Sequence, residues 1–173
     1  MRKIQIGVIG DSSCSNQEKK LAYEIGKFIA KYNCILICGG RGGVMEGASE
    51  GCKNENGLVV GILPQIDEES SNANPFLDVV IPTNMGWTRN SFVAMASDGL
   101  VVIGGKSGTL SEIAFSWMYN KPIVSLDNEL IPADRWGRKL ANISIDDRRT
   151  DTILGISDPE KAVLELVNRI LKK

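Results

Sequence analysis

Three glycine-rich turns constrain this chain more than any other feature: Gly10-Asp11-Ser12-Ser13, Gly39-Gly40-Arg41-Gly42-Gly43 and Gly104-Gly105-Lys106-Ser107-Gly108-Thr109. Each follows a short apolar run and opens a stretch with helical periodicity. Small residues let a ligand approach the backbone, and a helix starting there aims unpaired N–H groups and the positive end of its dipole at that ligand. Three such turns along one edge of a parallel sheet make a trough for an anion, so a nucleotide-like ligand is expected.

The surrounding pattern supplies that sheet. Apolar runs predict strands over residues 3–10, 34–38, 58–63, 78–81, 100–103, 122–126 and 152–156. Between them lie helical patterns. The first is capped by Asn16 and places Leu21, Ile25, Phe28, Ile29 and Tyr32 on one face. The second, 44–52, is rich in Gly and Ala and is expected to pack close to the sheet. A third, 87–97, offers Phe92, Val93, Met95 and Ala96 as apolar surface. The helix after the third glycine turn carries Leu110, Ile113, Ala114, Trp117 and Met118, and Ser157-Asp158-Pro159-Glu160 caps a terminal helix. Residues 64–75 form a polar loop, functional or mobile, and 127–150 is less regular. Strands alternating with helices, without linker or repeat, predict one α/β domain over 1–173: a doubly wound, mostly parallel sheet with helices on both faces. Ligands of such folds sit outside the carboxyl ends of the strands, where all three glycine turns fall.

Composition narrows the partner. Twenty Lys plus Arg against twenty-one Asp plus Glu, with no run of like charge, argue against a nucleic-acid-binding surface. The apolar stretch at the start is too short for a signal peptide and no window is long enough to span a bilayer, so a cytoplasmic protein without a membrane partner is expected. Cys14, Cys34, Cys38 and Cys52 lack CxxC spacing and histidine is absent. No metal site is therefore expected, and the thiols are read as buried or incidental. The missing histidine also removes Ser-His and Cys-His catalysis.

None of the turns is a GxGxxG or a GxxxxGK[ST], so neither a dinucleotide fingerprint nor a triphosphate loop is inferred. The candidate ligand-binding set is Gly10, Ser12, Gly39, Gly40, Arg41, Gly42, Gly43, Gly104, Gly105, Lys106, Ser107, Gly108, Thr109 and Glu112. Ser107, Gly108 and Thr109 offer backbone N–H groups and a hydroxyl to a phosphate. Glu112, one turn into the helix, either addresses a ribose hydroxyl, a base or a water, or merely complements the helix dipole. Arg41 either contacts the phosphate or is a solvated loop charge. Asp147-Arg148-Arg149 reads as a surface or subunit-contact element. Trp87 and Trp136 are candidates to stack on a ring, whereas Trp117 lies on an apolar stripe and belongs to the core.

Gly39-Gly40-Arg41-Gly42-Gly43-Val44-Met45-Glu46 together with Gly104-Gly105-Lys106-Ser107-Gly108-Thr109-Leu110-Ser111-Glu112 resembles the superfamily of the Lonely Guy cytokinin-activating phosphoribohydrolases, the lysine-decarboxylase-like proteins with the motif PGGxGTxxE. The resemblance runs over nearly the whole chain. It is closest to a bacterial branch that includes the molybdenum-cofactor carrier proteins, and it implies a Rossmann-like fold and a homo-oligomer, dimer or tetramer. The helices after the second and third glycine turns are the implied contacts.

By the same resemblance, Glu112 matches the motif glutamate and Arg89 the arginine that serve hydrolysis of the N-glycosidic bond of a nucleoside 5′-monophosphate. Glu46 is a candidate second carboxylate. Aligned on Gly108-Thr109, the motif's proline is replaced by Gly104 and its second glycine by Lys106, and the enzymes' Arg-Lys pair reads Arg89-Asn90. The leading expectation is a carrier or sensor of a small phosphorylated ligand, a nucleotide monophosphate or molybdenum cofactor, with no cofactor required. The alternative is a phosphoribohydrolase using Glu112 and Arg89. Lysine decarboxylation is disfavoured, because nothing here resembles a pyridoxal phosphate lysine site.

Overall fold

The computed structural model describes residues 2–172. Seven strands, β1 (Gln5–Gly10), β2 (Ile35–Cys38), β3 (Leu58–Leu63), β4 (Val79–Pro82), β5 (Gly99–Ile103), β6 (Ile123–Leu126) and β7 (Leu154–Ile156), form one sheet in the order β4-β3-β2-β1-β5-β6-β7. Every neighbouring pair is parallel. Strands β5 and β6 are buried along their whole length, which is why their sequences are apolar without alternation. At one margin β4 exposes Val79 and Ile81 and ends on Pro82, a residue that only an edge strand tolerates.

The helices are α1 (Asn16–Lys31), α2 (Val44–Asn54), α3 (Glu68–Ser71), α4 (Asn90–Ala96), α5 (Ser107–Met118), α6 (Trp136–Leu140) and α7 (Pro159–Leu171), with a 3-10 turn at Gly86–Arg89. Successive strand residues point to opposite faces, and the two faces are covered by different helices. Val8, Leu36, Val101 and Val124 pack with Ile25 and Ile29 of α1, Ala48 of α2 and Leu166 of α7. Their sequence neighbours Ile9, Ile37, Val102 and Ile123 pack with Val93 of α4 and with Ile113 and Trp117 of α5. The sheet is thus doubly wound and the fold Rossmann-like. Chain order runs outward from β1 to β4, then returns to the other side of β1 at β5. A crevice opens at that reversal. Among the described residues, no helix is long and apolar enough to cross a membrane.

Several local expectations are corrected. Ser15, not Asn16, caps α1: its Oγ accepts from the Glu18 N–H while the Glu18 carboxylate accepts from the Ser15 N–H, a complete capping box. Helix α2 does pack on the sheet through Val44, Ala48 and Cys52, but its glycines face α1. A side chain at Gly47 or Gly51 would run into the backbone carbonyls of Lys19 or Tyr23, and one at Gly26 of α1 into that of Ala48. The expected helix at 87–97 is the 3-10 turn followed by α4; Val93 and Ala94 face the core, whereas Phe92 and Met95 are exposed. Arg149 does not hold its side chain out in solvent. Its side chain is 5% exposed, paired with Asp151 at 2.6 Å, donating to the Lys121 carbonyl and lying 4.2 Å from the Trp117 ring centroid. Arg148 does face solvent, beside Asp146. Trp117 is buried in the core as expected.

Candidate functional site

Because β2, β1 and β5 are neighbours, the three glycine turns that leave their carboxyl ends lie side by side. They border a cavity of about 480 Å³. Of the expected residues, Gly10, Ser12, Arg41, Arg89, Lys106, Ser107, Gly108, Thr109 and Glu112 line it. Gly39, Gly40, Gly42, Gly43, Gly104, Gly105 and Glu46 are not among its lining residues. A side chain at Gly39 would meet the Arg89 guanidinium, and one at Gly42 the Ser12 carbonyl. Gly43 begins α2 at φ +64° against the Asp11 carbonyl, which accepts from the Val44 N–H at 2.9 Å; only glycine fits so close an approach in left-handed backbone. Glu46 pairs with Lys19 of α1 at 3.0 Å, so its charge is spent between two helices.

The α5 end is the open one. Lys106 occupies the cap position in extended backbone (φ −111°, ψ −156°) and no side chain caps the helix. Its first turn, Ser107 to Thr109, faces the cavity. The orphan N–H groups of that turn and the helix dipole favour an anion there. Asn90 braces the turn: its Nδ2 donates to the Gly108 carbonyl at 3.3 Å and to Ser111 Oγ at 2.9 Å, and Ser111 Oγ donates to the same carbonyl at 2.6 Å.

On the inner wall Arg89 and Glu112 face one another. Arg89 Nη1 lies 3.5 Å from Glu112 Oε1 and donates to Asn90 Oδ1 at 3.0 Å, while Nη2 donates to the Gly39 carbonyl at 3.0 Å. Both side chains are almost wholly buried. Burial disfavours the carboxylate and pushes the Glu112 pKa up to about 7, against the pull of Arg89. Burial likewise lowers Arg89, with Glu112 opposing. A glutamate poised near neutrality beside an arginine is suited to accept or deliver a proton.

Sequence reasoning passed over several wall residues. Asp11, Ser13, Met45, Asn90 and Ser111 line the cavity, and Trp87, a stacking candidate, stands at its rim 75% exposed. Trp136 instead packs on the core. Asp11 is buried between two cations, Arg135 Nε at 3.3 Å and Lys106 Nζ at 3.9 Å. Burial raises its pKa, and Lys106 and Arg135 oppose the rise. Arg135 precedes α6, which is tied down by N–H bonds from Trp136 and Gly137 to the Gly105 and Gly104 carbonyls. The signal for Asp11 was its place inside the first turn; nothing local marks Arg135 as its partner. Cys34, Cys38 and Cys52 are buried and Cys14 partly so, all free thiols. Burial pushes Cys14 to about 11 and Cys52 to about 12, so these two stay protonated at neutral pH.

The model of the SLOG cluster4 family matches residues 3–163. An uncharacterized protein of Archaeoglobus fulgidus is 43% identical over 73% of this chain and 82% of its own length. The cytokinin riboside 5′-monophosphate phosphoribohydrolase of Mycobacterium tuberculosis is 30% identical, over 62% of each chain, so the match spans less than two thirds of that enzyme. Among solved structures, the molybdenum cofactor binding protein of Rippkaea orientalis superposes with a TM-score of 0.83 at 33% identity, covering 99% of both chains. The molybdenum cofactor carrier protein of Chlamydomonas reinhardtii gives 0.79 at 30% identity, covering 99% of this chain and 100% of its own.

Proposed function

The chain belongs to the SLOG cluster4 family, and on that footing we propose that its cavity holds a small phosphorylated heterocycle, as a carrier or sensor of a nucleotide monophosphate or of molybdenum cofactor. The observation that carries this reading is the uncapped first turn of α5, open to the cavity beside Lys106 and Arg41. Ser107, Gly108 and Thr109 receive the phosphate; Lys106 and Arg41 add charge. Trp87 and Met45 offer a flat apolar surface to the organic ring. The likeness to two molybdenum-cofactor proteins over essentially whole chains supports a carried ligand over a consumed one. Thermal unfolding with AMP, inorganic phosphate and molybdenum cofactor released from a molybdoenzyme tests it. Stabilisation by at least one is expected, and stabilisation by none overturns the reading.

A second reading rests on the Arg89–Glu112 pair. With a nucleoside 5′-monophosphate bound by its phosphate at α5, Glu112 deprotonates a water that attacks the anomeric carbon. The C–N bond breaks, the base leaves with a proton and ribose 5-phosphate remains. The oxocarbenium-like transition state is stabilised by the carboxylate. Release of free base from AMP, lost in Glu112→Gln, would establish the enzyme; intact AMP after long incubation excludes it for that substrate.

A homo-oligomer is part of the proposal. Phe92 and Met95 of α4 and Met118 of α5 are exposed apolar residues on adjoining helices, a surface fit for a second copy. The free thiols and a soluble phosphorylated ligand suit a cytoplasmic setting, and the balanced charge argues against a nucleic-acid partner. Size-exclusion chromatography with light scattering tests the assembly.

A further inference from the structure

The 64–75 loop lies outside the cavity wall, yet its far end grips the second glycine turn. Asn74, buried, donates its backbone N–H to the Gly40 carbonyl at 2.9 Å and its Nδ2 to the Arg41 carbonyl at 3.1 Å. The same Nδ2 reaches Ser49 Oγ of α2 at 3.5 Å, and Oδ1 accepts from the Phe76 N–H at 3.1 Å. The hydrogen-bonding capacity of the amide is thus taken up within the protein. Two consecutive carbonyls of the turn are held by one residue from a segment more than thirty positions away (residues 40, 41 and 74). The side chain that leaves this fixed backbone is Arg41, which enters the cavity with its Nε buried and without a hydrogen-bond partner among the described residues.

We propose that Asn74 is a positioning residue for the anion site: beside its backbone bond to Gly40, its side-chain amide holds the Arg41 carbonyl and so sets where the Arg41 guanidinium meets the ligand. The inference rests on the proposed reading of the cavity as a phosphate site. An arginine without side-chain partners costs entropy to order around an anion, and a backbone fixed beforehand removes part of that cost. The loop is then part of the binding machinery by its anchor, although none of its residues lines the cavity.

The test is a double-mutant cycle on AMP and inorganic phosphate binding by calorimetry, using Asn74→Leu, which removes the side-chain donor to the Arg41 carbonyl without adding charge and leaves the backbone N–H bond to Gly40, Arg41→Ala and the pair. Asn74→Leu alone is expected to weaken binding about tenfold and Arg41→Ala about as much or more, while the pair binds within about twofold of Arg41→Ala. Independent, additive losses would assign Asn74 a general structural role and overturn the inference, as would unchanged affinity in Asn74→Leu. Wild-type protein that binds neither probe overturns the phosphate-site reading and the inference with it, a result separable from both. Should Asn74→Leu fail to fold, Asn74→Ser takes its place in the same cycle with the same outcomes.

Discussion

Helices α1 and α5 begin at the ends of neighbouring strands, β1 and β5, yet their first turns are finished in opposite ways. At α1 the box of Ser15 and Glu18 satisfies two of the N–H groups of the helix start within the chain, those of Ser15 and Glu18. At α5 the cap position holds Lys106, whose side chain cannot accept a hydrogen bond, and two glycines precede it. Each helix carries a buried glutamate in its first two turns, but Glu18 serves the cap while Glu112 pairs with Arg89 on the cavity's inner wall. One terminus is closed by a side-chain cap; the other, without one, is free for the anion of the proposed reading. On the proposed reading, a strand-turn-helix junction offers an anion site where its helix start is left without a side-chain cap.

The largest test of that contrast uses pH. Glu112 has a folded pKa near 7, above its ordinary 4.5. The folded state therefore holds the proton more tightly than the unfolded chain. The stability this contributes is full below pH about 4.5 and is lost as pH rises through about 7, on the order of 3 kcal/mol in all. Denaturant titrations of wild type and Glu112→Gln should diverge over that window, the glutamine variant lacking this loss. Parallel curves would remove the basis for a poised carboxyl.

Next comes Gly108→Asp. A Cβ there would meet nothing closer than Asn90 Nδ2 at 3.7 Å, so the backbone accepts a side chain, and a carboxylate at a helix start is stabilising in itself. Fluorescence titration with AMP should show affinity reduced about a hundredfold with no fall in melting temperature, since the new charge occupies the anion's place. At the closed terminus, Ser15→Ala should reverse the pattern. Urea unfolding should show about 1 kcal/mol less stability, with AMP affinity unchanged within about twofold. The smallest effect is expected of Lys106→Ser, which gives α5 the cap it lacks: a gain of about 0.5–1 kcal/mol in stability and a several-fold weaker Kd. If capping α5 strengthens binding instead, the two helix ends do not differ in the way described.

The sheet was legible because strands buried on both faces must be apolar throughout, as in Leu100 to Ile103, and because glycines punctuate their ends. The three turns were readable for the same reason. What escaped depends on contacts distant in sequence. Glu46 looks like a site carboxylate until α1 brings Lys19 beside it, and Asp11 gains its meaning from Arg135, which belongs to a segment without periodicity. Arg149 reads as a surface charge until Trp117 and Asp151 enclose it. The cap of α1 was a different failure, since Ser15 and Glu18 stand at the spacing of a capping box and the signal was present in the chain itself.

The glycine contact between α1 and α2 has a consequence for how the crevice adapts. Gly26 and Gly51 let the two helices touch backbone to backbone, so the two turns that precede them lie on one closely packed bank. The opposite bank, led by α5, rests on the other layer of the sheet. An alanine at Gly51 would run into the Tyr23 carbonyl and force the two helices apart, a disturbance felt at the crevice although Gly51 is not among its lining residues.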